Sequence, residues 1–170
     1  MTQYARVVIQ DCKAARDELK AGATGHVFRS RWVAAVTLLR AVGHVLEKVD
    51  SKRDSAMAAA IREAHARLKS SKPEPRVFWE FIDAERNNVL KAYRFGAKES
   101  VTVRPGTGHI AMYGRRFSGL SGPTTYDQFL DGGPFAGKAP DAAVAAAIEW
   151  WESYLADIDA DAARRARASA

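Results

Sequence analysis

Apolar residues at helical spacing dominate this chain as far as Phe95, and the densest such pattern, from Arg76 to Phe95, constrains the rest. Phe78, Ile82, Val89 and Tyr93 fall near one stripe of a 3.6-residue period, broadened by Trp79, Phe81 and Leu90. A helix with so wide an apolar face needs other helices to bury it. Set into the pattern is a polar cluster, Glu85, Arg86, Asn87, Asn88 and Lys91. Asparagine is a poor helix former because its amide competes for backbone hydrogen bonds, so two in succession within a helix carry a cost. Either the cluster is a solvated face or it is a site.

Three more helices are expected before it. Tyr4, Val8, Cys12, Ala15 and Leu19 recur at helical spacing, and Gly22 ends that run. A second helix is expected from Arg31 to about Val49, with Ser30 as its cap. Its apolar residues, including Trp32, Val36, Leu39, Val42, Leu46 and Val49, cover enough of its circumference to make it central. Gly43 within it costs about 1 kcal/mol relative to alanine, which a closely approaching neighbour would offset. After a charged break at Asp50–Asp54, Ser55 to Ser70 forms a third helix with Met57, Ile61, Ala64 and Leu68 inward. The two prolines of Ser70-Ser71-Lys72-Pro73-Glu74-Pro75 stop it. The Arg76 helix follows and is expected to end at Phe95-Gly96.

The pattern then changes. Ser100 to Arg104 alternates with β-branched residues, Pro105-Gly106-Thr107-Gly108 is turn chemistry, and His109 to Tyr113 is extended, which together read as a β-hairpin. Gly114 to Pro140 reads as a Gly/Pro-rich loop with one helical turn at Thr125–Leu130. A last helix starts at Pro140 or Asp141 and turns Val144, Ile148, Trp151, Leu155 and Ile158 inward, with Asp161 to Ala170 fraying. The expected fold is therefore all-α: about five helices in a bundle, in one domain spanning 1–170, with the hairpin and loop inserted at about 98–139 before the last helix.

Several chemistries are poorly supported. His26, His44, His65 and His109 are scattered without metal-ligand spacing, so no metal or cofactor is expected. No Gly-Lys-Ser/Thr forms a phosphate loop, and Ser118-Gly119-Leu120-Ser121-Gly122 is not framed as a nucleophile elbow. The single cysteine, Cys12, lies on an inward stripe and fits packing in a reducing compartment. With no apolar run long enough for a membrane span and no leader pattern at the N-terminus, a soluble cytoplasmic protein is expected. Of the Trp150-Trp151 pair, one ring at helical spacing is expected in the core.

The net charge is +6, and its placement is more informative than its size. Arg86, Lys91 and Arg94 precede Lys98, Arg104, Arg115 and Arg116, interleaved with Tyr93, Phe95, Tyr113 and Phe117. Cations for phosphates and aromatic faces for bases are the make-up of a single-strand nucleic-acid surface. A solvated basic face has the same composition.

Arg86-Asn87-Asn88-Val89-Leu90-Lys91-Ala92-Tyr93 resembles the Arg-x4-His-x-Tyr signature of HEPN domains, including the polar residue after the arginine. In that family the signature lies on a late helix of an all-α bundle, and many members are metal-independent ribonucleases that act as dimers. The resemblance covers the helical two-thirds of the chain. It implies a homodimer that binds RNA or another phosphate ligand, with Arg86 contacting phosphate, Asn87 positioning it, and Tyr93 and Arg94 flanking. It also implies a protein partner of the kind found in toxin–antitoxin pairs.

Where the family has its catalytic histidine, this chain has Lys91. An ammonium with an ordinary pKa near 10.4 is protonated at neutral pH and cannot take the 2′-hydroxyl proton. Lys91 is thus expected to contact phosphate or offset charge on phosphorus. Three functions follow: RNA or phosphate binding with weak or no nuclease activity; a metal-independent ribonuclease in which Lys91, His44 or His109 supplies the missing group; or a structural dimer pinned by Arg86–Asn88.

Overall fold

Helical periodicity is matched by helices. The computed structural model describes residues 1–103, 109–112, 115–118 and 124–168, the second and third of these stretches through their backbone pairing. Among the described residues there are five α-helices: α1 (Gln3–Lys20), α2 (Gly25–Lys48), α3 (Ser55–Ser70), α4 (Ala84–Ala92) and α5 (Pro140–Ala168). A π-helical segment, Val77–Asp83, leads into α4. α1 packs on α2 and α5, α3 packs on α5, and α4 packs on α2. The core between them holds Phe28, Trp32, Leu39, Val42, Met57, Ile82, Val144, Trp151 and Leu155. No helix of the described residues is long and apolar enough to cross a membrane.

Gly43 has the close neighbour its position demands. A Cβ there would lie 3.1 Å from the Trp151 ring of α5. The same indole donates its Nε1–H to the Leu39 carbonyl at 2.9 Å, one turn earlier on α2. Of the tryptophan pair, Trp151 is buried and Trp150 lies half-buried against it, stacked on Tyr154.

Several boundaries differ from expectation, each for a local reason. α2 begins at Gly25 rather than Arg31, and Ser30 is inside it, its hydroxyl donating to the His26 carbonyl. Buried Phe28 is what extends that helix backwards. Tyr4 and Val49, expected inward, are exposed. The Arg76 helix ends at Tyr93, not at Gly96. Tyr93 takes the left-handed conformation (φ 50°), its N–H donating to Val89 O and that of Arg94 to Asn88 O. A bulky residue rarely adopts that backbone region; Tyr93 and, within α4, Leu90 are both exposed rather than part of the expected apolar stripe. α5 does not fray at Asp161 but continues to Ala168. Ala162 is still buried there, and Arg165 holds both Asp161, one turn back, and Glu63 of α3.

The β region pairs differently from the hairpin read in the sequence. β1 (Ala97–Val103) runs antiparallel to β4 (Thr124–Leu130), and β2 (His109–Met112) to β3 (Arg115–Ser118). Stepping twelve residues forward from Ala97 and twelve back from Leu130 reaches the pair His109–Ser118, so both ladders keep one register. The Thr125–Leu130 stretch is therefore strand, not a helical turn. Its aromatic and β-branched residues face those of β1, as in Val101 opposite Tyr126 and Thr102 opposite Thr125. Arg104, the Pro105–Gly108 turn, Tyr113, Gly114 and residues 119–123 lie outside the described residues, as do the side chains of His109, Arg115, Arg116 and Phe117.

Cys12 is fully buried on α1. Burial, with the nearby Asp11 carboxylate, pushes its thiol up to about 12. Thiolate is the reactive form, so at about pH 8 only about one molecule in ten thousand is reactive. A disulfide reagent is expected to leave the native protein unmodified and to titrate one thiol after denaturation; prompt modification of the native protein would contradict this packing.

Candidate functional site

The polar cluster of α4 divides into an architectural half and an open half. Glu85 is the architectural member. It is 7 % exposed, and its Oε1 accepts the Trp32 indole N–H and the Gly96 amide N–H, each at 2.8 Å. A Cβ on Gly96 would lie 2.6 Å from Oε2. Gly96 is thus needed for the close approach of a carboxylate rather than for ending the helix.

One residue on, the chain faces outward and meets α2. Arg40 and His44 stand four apart and so share a face of α2. Arg40 Nε donates to Asp83 Oδ1 at 3.0 Å, at the end of the π-helical segment. Asn87, one turn after Asp83, donates from Nδ2 to Asp83 Oδ2 at 3.2 Å, and its own Oδ1 accepts from Arg86 NH1 at 3.0 Å. A relay therefore runs Arg40–Asp83–Asn87–Arg86, with one carboxylate for two guanidiniums. The Arg40 and Asp83 side chains are 24 % and 30 % exposed, so the group is partly shielded from water yet reachable. The cost of Asn87 in mid-helix is offset by these two bonds.

Electrostatics mark the same place. His44 is held below its ordinary pKa, first by desolvation, then by the Arg40 charge and then by the Arg86 charge. Its imidazole is therefore neutral at pH 7. Among the described residues Arg86 is paired with no carboxylate.

The remaining sequence candidates sit at the far end of α4. Lys91 is exposed and, five positions from Arg86, lies about 140° around the helix from it. Tyr93 is 72 % exposed and packs edge-on against Phe95 at 4.9 Å. Arg94 is exposed beside them, while Lys98 is paired with Asp131. So the structure brings Arg86 and Asn87 together and adds His44. Lys91, Tyr93 and Arg94 form a separate exposed patch one to two turns on. Arg40 and Asp83 escaped the sequence reading; the i, i+4 spacings Arg40–His44 and Asp83–Asn87 were the signals that could have found them. Among the described residues no three His, Cys, Asp or Glu side chains gather as a metal set.

No family model, no curated protein and no solved structure matches this chain.

Proposed function

We propose that the chain is a HEPN-like domain that binds RNA, or another ligand through its phosphates, at the face shared by α2 and α4. The observation that carries this reading is the relay Arg40–Asp83–Asn87–Arg86. In it Arg40 is paired with the carboxylate, Arg86 is held through Asn87 and keeps no carboxylate of its own among the described residues, and both guanidinium charges act on His44. Guanidinium forks match phosphate geometry, and here Asp83 and Asn87 fix them in advance. Lys91 and Arg94 extend the positive field along α4, and Tyr93 and Phe95 offer ring faces on which bases can stack. The Arg86–Tyr93 signature and the order of three helices before it and one after are what tie the reading to the family. A homodimer in the cytoplasm belongs to the same reading.

The test is binding of a fluorescent single-stranded RNA across a salt series. Affinity should fall steeply with salt, and Arg86→Ala and Arg40→Ala should each weaken it about tenfold, or about 1.4 kcal/mol. Each should also flatten the salt slope by about 0.7 per lost phosphate contact. A bound phosphate would partly cancel both guanidiniums, so the His44 proton resonances should report a pKa that moves upward on binding. Wild-type affinity in Arg86→Ala would overturn the reading.

The neutral imidazole also favours a second function, metal-independent RNA cleavage. His44 would accept the 2′-hydroxyl proton as that oxygen bonds to phosphorus. The P–O5′ bond would break with the 5′-oxygen taking a proton from solvent water to leave a 2′,3′-cyclic phosphate, and the arginines would stabilise the charge building on phosphorus. Cleavage in the presence of a chelator, abolished in both His44→Ala and Arg86→Ala, distinguishes it. RNA left intact at high protein concentration would eliminate it.

A further inference from the structure

Trp150, the member of the tryptophan pair that the core leaves half-buried, stacks on Tyr154 one turn later on α5, with ring centroids 5.1 Å apart and planes 20° apart. Both rings line a groove of about 290 Å³ between α3 and α5, together with Leu68 of α3, Pro75 and, at its polar positions, Arg67 and Asp157. We propose that this groove takes a proline-rich segment of a partner protein in the polyproline II conformation, with a basic residue of that segment against Asp157. The proposal is independent of the phosphate-binding reading, since no residue of the groove belongs to the Arg40–Asp83–Asn87–Arg86 relay.

Three polar groups of the groove are uncommitted. The Trp150 indole N–H and the Tyr154 hydroxyl donate to no group of the described residues, yet neither is sealed from solvent. Tyr154 keeps its proton at neutral pH, because burial pushes the phenol up to about 12, so it remains a donor. Asp157 is exposed and pairs with no cation of the described residues, whereas Arg67 is held by Glu63 at 3.0 Å. A fitting ligand therefore brings free acceptors for two donors, a positive charge for one carboxylate and an apolar surface for the rings. A helix hides its carbonyls in its own hydrogen bonds, and an added strand needs a sheet edge, which a groove between two helices lacks. A purely apolar ligand would desolvate both donors without replacing their water. A polyproline II chain leaves every carbonyl free, and its prolines bring no N–H that would need an acceptor. It is also ordered before it binds, so docking on aromatic rings costs it little entropy.

The experiment titrates three fluorescein-labelled peptides into the full chain: an oligoproline with one central arginine, the same oligoproline without it, and the arginine peptide with glycine in place of every proline. The arginine–proline peptide should bind about tenfold more tightly than the glycine peptide, which must be ordered on binding. It should bind about threefold more tightly than plain oligoproline, and Asp157→Asn should erase that preference while leaving oligoproline affinity unchanged. Trp150→Phe and Tyr154→Phe, which keep an aromatic ring and remove the donor, should each weaken both proline peptides about fivefold. Thermal melts of the variants check that the fold is retained, and Arg86→Ala should leave peptide binding at the wild-type level. Equal binding of proline and glycine peptides overturns the proposal, as does undiminished binding in both ring variants or an arginine preference that survives Asp157→Asn. It is also overturned if neither proline peptide binds at millimolar concentration. A Trp150 indole resonance that moves with single-stranded RNA, or with the concentration of the chain itself, but not with the peptides, gives the groove to nucleic acid or to a second copy and excludes the proline segment.

Discussion

Replacing Asp50 with alanine is expected to destabilise the fold by about 3–4 kcal/mol. Asp50 is fully buried in a single 3₁₀ turn, Asp50–Lys52, between α2 and α3. Its two oxygens accept the amide N–H groups of Tyr4 and Ala5, at 3.1 and 2.9 Å. Those donors belong to the first turn of α1, which has no intrahelical acceptors for them, and the Thr2 side chain makes no cap hydrogen bond to the helix backbone. The carboxylate from 46 residues away is therefore the helix cap, reinforced by the positive end of the helix dipole. Truncation leaves two N–H groups without their acceptor, that of Ala5 buried and that of Tyr4 partly so. Asp50→Asn, which keeps acceptor oxygen but no charge, should cost less than half as much. Denaturant melts give the energies, and amide exchange at Tyr4 and Ala5 should accelerate selectively in the alanine variant. A loss below about 1 kcal/mol would show that water or another group replaces the cap.

Glu85→Ala is expected to cost about 3 kcal/mol and to lower the melting temperature by roughly 10 °C, given the size of the chain. The loss has two parts: the Trp32 indole and the Gly96 amide both lose their acceptor, and a void opens beneath α4. Glu85→Gln retains an acceptor oxygen and should cost about 1 kcal/mol. Gly96→Ala probes the same contact from the other side, since its Cβ would displace the carboxylate. The two alanine substitutions should not add: in the Glu85→Ala background, Gly96→Ala should be nearly neutral. Strict additivity would mean that the carboxylate does not hold these two elements together. Neither Glu85 variant should alter the intrinsic phosphate contacts of Arg86, so RNA affinity in the folded Glu85→Gln protein should match that of the wild type.

These two carboxylates illustrate what sequence could and could not reveal. Glu85 sits in a run of polar residues, and its spacing is equally consistent with a solvated face. Asp50 sits in a charged break, where an exposed turn is the ordinary expectation. Both are buried because each meets donors from a distant segment that local pattern cannot register. The reverse holds for Tyr93, whose place in an apolar stripe predicted burial. The helix closes on it in the left-handed conformation, and it is exposed instead.

Helix number, the inward stripes of α2, α3 and α5 apart from Val49, the need for a close neighbour at Gly43 and the basic, aromatic character of the Arg76–Phe95 segment were readable from residue order. They depend on periodicity and on local stereochemistry, which act within a turn or two. In α1, by contrast, only Cys12 and Leu19 of the expected stripe are buried, and Ala5 and Ile9 take the other places. The β1–β4 and β2–β3 pairing, the meeting of Arg40 and His44 with Asp83, Asn87 and Arg86, and the burial of Asp50 and Glu85 were decided by tertiary structure alone. Each depends on which donor meets which acceptor between separate segments, and the energy of a hydrogen bond or a charge pair is set by their separation in space and by the water excluded around them, neither of which is written in the spacing of a single segment.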